Sequence, residues 1–153
     1  MKHQHFDVGT VGFYGAYWAC AGGSDCAVIA MIGDDPEDRL ARSAVKWLCG
    51  RGVNVLTMSP AKKDYGHHNY PLERVETAIS WLKANGNHKI GIAGASTTGT
   101  LALTAAAMFP DVTLTIAMTP SDFVWQGFMQ GKRDGCKEWP VEDESLFSYR
   151  GKP

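Results

Sequence analysis

Four short apolar runs, separated by segments of helical periodicity, constrain this chain more than any other feature. They are Cys26-Ala-Val-Ile-Ala-Met-Ile32, Val53-Asn-Val-Leu-Thr-Met-Ser59, Lys89-Ile-Gly-Ile-Ala93 and Val112-Thr-Leu-Thr-Ile-Ala-Met118. Each has strand length, and the first is apolar without alternation, as expected of a central parallel strand covered on both faces. After the first run, Asp35-Pro36-Glu37-Asp38 offers a capping carboxylate, a proline at the first helical position and two acids in the first turn. Leu40, Ala41, Ala44, Val45 and Leu48 then recur at three- and four-residue spacing until Gly50 and Gly52. A second helix follows Pro71, with Leu72, Val75, Ile79 and Leu82 on one face and an end near Gly86, and a third covers 97–109. Alternating strands and helices of this kind predict an α/β fold: a three-layer αβα sandwich around a mostly parallel sheet, with right-handed crossovers.

The flanks are less periodic. Residues 6–20, rich in Gly, Tyr, Phe and Trp, suit one or two short antiparallel strands. From Pro120 onward the pattern dissolves, with only 122–129 resembling a short helix. The 153 residues suffice for one core, so one domain over 1–153 is expected.

Fifteen Lys and Arg balance sixteen Asp and Glu, which gives no electrostatic reason to expect nucleic acid or a membrane surface as partner. No apolar run reaches the roughly 20 residues of a bilayer span, and no secretory leader is visible, so a cytoplasmic location is expected. Cys20, Cys26, Cys49 and Cys136 form no Cys-x-x-Cys pair and are read as free thiols. His67-His68 reads as a solvated loop pair, and His3 with His5 as a disordered terminus. Neither pair has a carboxylate or thiol at ligand spacing, so no metal and no cofactor is expected. Trp47 and Trp81 read as packing residues on helices, whereas Trp125 and Trp139 suit either an acyl pocket or the cover of a sheet edge.

Chemistry concentrates in Gly94-Ala95-Ser96-Thr97-Thr98-Gly99, where a buried strand hands over to a helix. A sharp turn at such a junction, a nucleophile elbow, lifts a serine hydroxyl above the sheet and leaves the next amide, here Thr97, facing the site. With a second amide from Gly33-Asp34 it could hold an oxyanion. The pattern Gly-x-Ser-x-Gly would place glycine at 98, where this chain has Thr98, so the turn must widen or find room for a β-branched side chain. Two roles remain open for Ser96: nucleophile, or cap of the third helix. Asp34 and Asp35 read first as cap and turn residues, their loop's backbone carrying the functional expectation.

Met31-Ile-Gly-Asp-Asp35, Cys49-Gly-Arg-Gly-Val53 and Ile92-Ala-Gly-Ala-Ser-Thr-Thr-Gly99 lie within a stretch, Asp25 to Thr119, that resembles the C-terminal hydrolase domain of acyl-CoA thioester hydrolases and bile-acid-CoA:amino-acid acyltransferases. More distantly it is similar to dienelactone hydrolases. The resemblance covers about two-thirds of the chain and implies an α/β-hydrolase fold, a nucleophile at position 96, an acyl-enzyme intermediate and an acyl ester or thioester, such as acyl-CoA, as substrate. Family members carry an immunoglobulin-like domain ahead of the hydrolase domain, for which this chain has no room. The family fold continues with two further strands bearing the triad acid and histidine, so a partial hydrolase domain lacking its last strands is expected. No histidine follows Ser96; Asp122 stands where some hydrolases carry the acid, and His67 or His68 is a non-standard base candidate.

Two rival functions belong to other classes. A catalytically inactive partial fold would act as a binding module, and its last strand, 112–118, would form an open apolar edge suited to homo-oligomer formation. A dinucleotide-binding oxidoreductase is suggested by the glycines at 91, 94 and 99, but these do not fit Gly-x-Gly-x-x-Gly and lie in the third βα unit.

Overall fold

The computed structural model describes residues 3–60, 69–130 and 138–152. A six-stranded sheet forms its centre, with strands β1 (His3–Phe6), β2 (Gly15–Trp18), β3 (Cys26–Met31), β4 (Asn54–Met58), β6 (Lys89–Ala95) and β7 (Val112–Met118) in the order β1-β2-β4-β3-β6-β7. β1 and β2 pair antiparallel with each other, and β2 antiparallel with β4; β4, β3, β6 and β7 run parallel. Between the strands lie α1 (Val8–Val11), α2 (Arg39–Cys49), the two-residue β5 (Tyr70–Pro71), α3 (Glu73–Ala84) and α4 (Thr97–Met108). The α/β class and the mostly parallel sheet match the sequence expectation, and 112–118 is a strand over those residues.

Alternation along the strands divides the core into two layers. Ile29, Leu56, Ile90 and Ile92 pack in a large cluster with Val75, Ile79 and Leu82 of α3 and Leu101 and Ala105 of α4. Their neighbours Val28, Ala30, Val55 and Ala93 face Val45 and Leu48 of α2 in a smaller cluster. Burying each large aliphatic side chain contributes about 1.5–3 kcal/mol, so the sheet is held from both sides.

Several expectations are corrected. α2 begins at Arg39, not Pro36, because Asp38 is the residue whose carboxylate accepts the Ala41 amide at 2.8 Å; Asp35 instead accepts the Glu37 amide at 2.9 Å and closes a turn. His3 and His5 are not a disordered terminus: they belong to β1, both reach Glu37, at 2.5 and 3.0 Å, and His3 stacks on Trp18. Trp81 packs edge-on to Phe6 and Tyr17 as expected, but Trp47 is exposed, with the Arg51 guanidinium 4.3 Å from its ring. The stretch 122–129 is not a helix; β8 (Gln126–Gln130) pairs antiparallel with β9 (Glu138–Ser145). Gly127 opposes a helix there, and aromatic residues favour a strand once a partner is present. Finally β10 (Phe147–Ser148) pairs with β5. Cys136 and His67-His68 lie outside the described residues, as does the side chain of Trp139.

β7 is the last strand of the sheet, and Leu114, Ile116 and Met118 on one face of it are 36–55 % exposed. No described helix is long and apolar enough to cross a membrane.

At the end of the sheet away from the carboxyl ends of β3 and β6, a buried amide pair ties three connections together. Asn54 accepts from the Cys20 amide at 2.9 Å and donates to the Ser24 carbonyl and to Asn87 Oδ1, at 3.0 and 2.8 Å. Asn87 in turn donates to the Leu82 carbonyl at the end of α3. An Asn54→Ala substitution leaves the Cys20 amide and the Asn87 side chain without these partners. It is expected to lower stability by about 1–3 kcal/mol, measurable as a reduced urea midpoint with an unchanged m-value.

Candidate active site

The strand order itself marks a location. From β3 the chain crosses through α2 to β4 on one side, then returns through α3 to β6 on the other side of β3. β3 and β6 are adjacent, Met31 opposite Gly94, and the chain leaves their carboxyl ends in opposite directions. Such a switch point opens a crevice without any special side chains. Here the crevice, of about 250 Å³, is lined by Gly33 and Asp34 after β3, by Ser96, Thr97 and Thr98 after β6, and by Met31, Leu40 and Pro60 as apolar walls.

Ser96 is the residue between β6 and α4, and its backbone is unusual: φ 55°, ψ −124°. A non-glycine residue held there costs about 1–3 kcal/mol and persists only where its surroundings over-determine it. They do. Its amide donates to the Met118 carbonyl at 2.9 Å, and its own carbonyl accepts from Gly99 and Thr100 at 2.9 and 3.1 Å in the first turn of α4. The side chain is exposed at the crevice and makes no capping hydrogen bond. The capping role open in the sequence is thus not the one the hydroxyl plays.

The turn is tight because two glycines allow it. A Cβ on Gly94 would lie 2.0 Å from the Thr98 carbonyl oxygen, and one on Gly99 3.0 Å from that of Met118. Thr98, which the sequence marked as an obstacle, needs no widening: its side chain turns between β6 and β3, where Oγ1 lies 2.6 Å from the Met31 carbonyl oxygen and accepts the Ala95 amide at 2.9 Å. The glycines are thereby taken up in packing, Gly91 against Val28 and Leu114. This leaves no open cradle of the kind a pyrophosphate needs.

Across the crevice, Gly33 has φ 98°, and a Cβ there would meet the Asp38 carboxylate at 2.5 Å. That carboxylate accepts from the amides of Asp34, Asp35 and Ala41 at 2.8, 3.2 and 2.8 Å. Burial pushes the Asp38 carboxyl up, but the amides of Ala41, Asp34, Asp35 and Leu40 outweigh it and hold the group below its ordinary value. One consequence touches the expected oxyanion donors. The Asp34 amide is already engaged, whereas the amides of Gly33 and Thr97 have no hydrogen-bond partner among the described residues.

The structure therefore brings Ser96, Thr97, Gly33 and Asp34 together, but not Asp122. That residue is exposed in a separate depression beside Thr100, Leu103 and Thr104. No described histidine faces the crevice: His3 and His5 sit on Glu37, and His88 precedes β6 at the other end of the sheet. Cys20, Cys26 and Cys49 are free; burial, with Cys20 nearby, pushes the Cys49 thiol up, away from thiolate chemistry. Among the described residues no three His, Cys, Asp or Glu converge as a metal site. A larger hollow, about 320 Å³, lies along α4 between Met108, Phe147 and Lys152 and includes none of the residues around Ser96. Trp125 is exposed outside both and donates to Ser121. Sequence reasoning missed Asp38 and the Thr98 hydroxyl; the first was legible as the acid three residues before Ala41, a capping distance, and the second only as a departure from the glycine pattern.

No protein-family model and no curated protein matches the sequence. Solved structures do match the fold. The esterase Pf2001 of Pyrococcus furiosus superposes in one crystal form with a TM-score of 0.57 at 20 % identity, covering 71 % of this chain and 45 % of that one. In a second form the values are 0.56, 19 %, 76 % and 55 %. Est1E of Butyrivibrio proteoclasticus gives 0.58 at 20 % identity over 77 % of this chain and 50 % of its own. The chain thus has an α/β-hydrolase-type fold and spans about half the length of these esterases.

Asp38→Ala is expected to destabilise the protein by about 0.5–2 kcal/mol at neutral pH through loss of the cap. Because the folded carboxyl is held below 3.8, its contribution is present above that pH and is lost as the pH falls through the lowered value. Urea unfolding of the two proteins at several pH values should show the difference shrinking below about pH 4.

Proposed function

We propose that the chain is the nucleophile-bearing part of a serine hydrolase acting on acyl esters or thioesters, with acyl-CoA thioesters the preferred class. The observation that carries this reading is Ser96: a strained, uncapped serine at the mouth of a switch-point crevice. Strain of this kind gathers where a side chain must be presented rather than packed. The esterase neighbours support the reaction class, and the resemblance of 25–119 to acyl-CoA hydrolases supports the thioester.

In this mechanism Ser96 Oγ attacks the acyl carbonyl, forming a tetrahedral intermediate whose oxyanion accepts hydrogen bonds from the Thr97 and Gly33 amides. The positive end of α4 favours the same charge. The alkoxide or thiolate of the substrate then leaves, giving an acyl-enzyme that water or another acceptor resolves. Serine needs a base for the first step; among the described residues no histidine faces the crevice, and in this reading a residue outside them takes the proton.

A second reading, an inactive binding module, is favoured by one contact: Asp38 already places a carboxylate on the Asp34 amide, at the rim where an oxyanion would be held.

A fluorophosphonate probe followed by peptide mass spectrometry separates the two. The active reading expects an adduct on Ser96 that is absent in Ser96→Ala, with turnover of a thioester substrate falling by at least about 10³-fold in that variant. Equal labelling or equal turnover in Ser96→Ala, or no adduct on the folded wild-type chain, would overturn it.

A further inference from the structure

We propose that Thr98 is a positioning residue that sets the spacing between the two oxyanion donors, an inference that rests on the reading of Ser96 as nucleophile. The two amides concerned lie on different strand exits. Gly33 follows β3 and Thr97 follows β6, and the parallel ladder between these strands runs out at the pair Met31–Gly94. Beyond that rung no backbone hydrogen bond among the described residues joins one exit to the other. Each exit is anchored separately, Ser96 to Met118 and the 34–35 loop to Asp38, and neither anchor ties one exit to the other.

Thr98 Oγ1 bridges this gap. It lies 2.6 Å from the carbonyl oxygen of Met31, the last residue of β3, and accepts from the amide of Ala95, the last residue of β6, at 2.9 Å. The Ala95 carbonyl, also at 2.9 Å, is the longer of two candidates for the single hydroxyl proton, so the proton is assigned to Met31. The side chain thus adds one further rung to the sheet, two residues before Gly33 and one after Thr97. A glycine at this position closes the same turn but bonds to neither strand. Gly94 makes the arrangement possible, since its missing Cβ leaves space for the backbone of Thr98.

A group that aligns oxyanion donors acts on the transition state more than on the bound substrate, so its loss falls on kcat and leaves KM nearly unchanged. Thr98→Val keeps the β-branched shape and removes the bridge, Thr98→Ser keeps the bridge, and Thr98→Gly restores the common spacing without it. With p-nitrophenyl butyrate as substrate and fluorophosphonate labelling as a second readout, Thr98→Val and Thr98→Gly are expected to lose about 10- to 100-fold in kcat and in labelling rate. KM should stay within about twofold, and Thr98→Ser should recover most of the rate. Hydrogen exchange of the Ala95 amide reports the bridge directly: it should be faster in Thr98→Val and Thr98→Gly and protected in Thr98→Ser and wild type.

Wild-type rates in Thr98→Val and Thr98→Gly, with Ala95 deprotected, would show that the bridge exists and does not position the donors. Equal loss in Thr98→Ser and Thr98→Val would make the role one of packing and also overturn the inference. Absence of any Ser96 adduct in the folded wild-type chain would remove the nucleophile reading first, and this inference with it.

Discussion

The bond from the Ser96 amide to the Met118 carbonyl is the contact on which the crevice depends. It joins the exit of β6 to the last residue of β7, while Gly99 and Thr100 draw the Ser96 carbonyl into the first turn of α4. Between these two anchors the chain closes with a positive φ, 55°, at Ser96. Gly94 and Gly99 are glycines because a Cβ at either would strike backbone that cannot move without opening this junction. Position 96 has no such packing reason to be small, since its side chain is exposed at the crevice.

Much of this was legible along the chain. The uninterrupted apolar run at 26–32 specifies a strand with both faces covered, the runs at 53–59, 89–93 and 112–118 mark its neighbours in the sheet, and the helical spacing of Val75, Ile79 and Leu82 specifies one face of α3. Local chemistry that has several equivalent solutions was not. Asp34, Asp35 and Asp38 are all acceptable caps in sequence terms, and the choice of Asp38 depends on the sharp turn that Gly33 makes over its carboxylate. Likewise 122–129 reads as a helix only in isolation; its pairing with 138–145 is set by a partner beyond the reach of a periodicity argument. His3 and His5 were missed for the same reason, as their anchor, Glu37, stands more than thirty residues away.

The site was legible in its centre and not in its frame. Ser96, Thr97 and Gly33 could be placed from strand-turn-helix order, because topology alone brings the exits of β3 and β6 together. What the hydroxyl of Thr98 does, and that Asp38 takes the Asp34 amide, are consequences of distances between strands, which spacing along a chain does not encode. Asp122 shows the converse. It follows the right strand, yet the bend after Met118 carries it to the far side of the start of α4, beside Thr100 and Thr104.

The backbone at position 96 also bears on how this sequence could change over generations. Glycine is the residue that adopts a positive φ without strain, and common serine and glycine codons differ by a single nucleotide. A lineage indifferent to the hydroxyl would have a stabilising replacement within immediate reach, in a site where the side chain is exposed and caps nothing. Serine at 96 is therefore the more strained of two neighbouring genotypes, and selection for stability alone would favour the other.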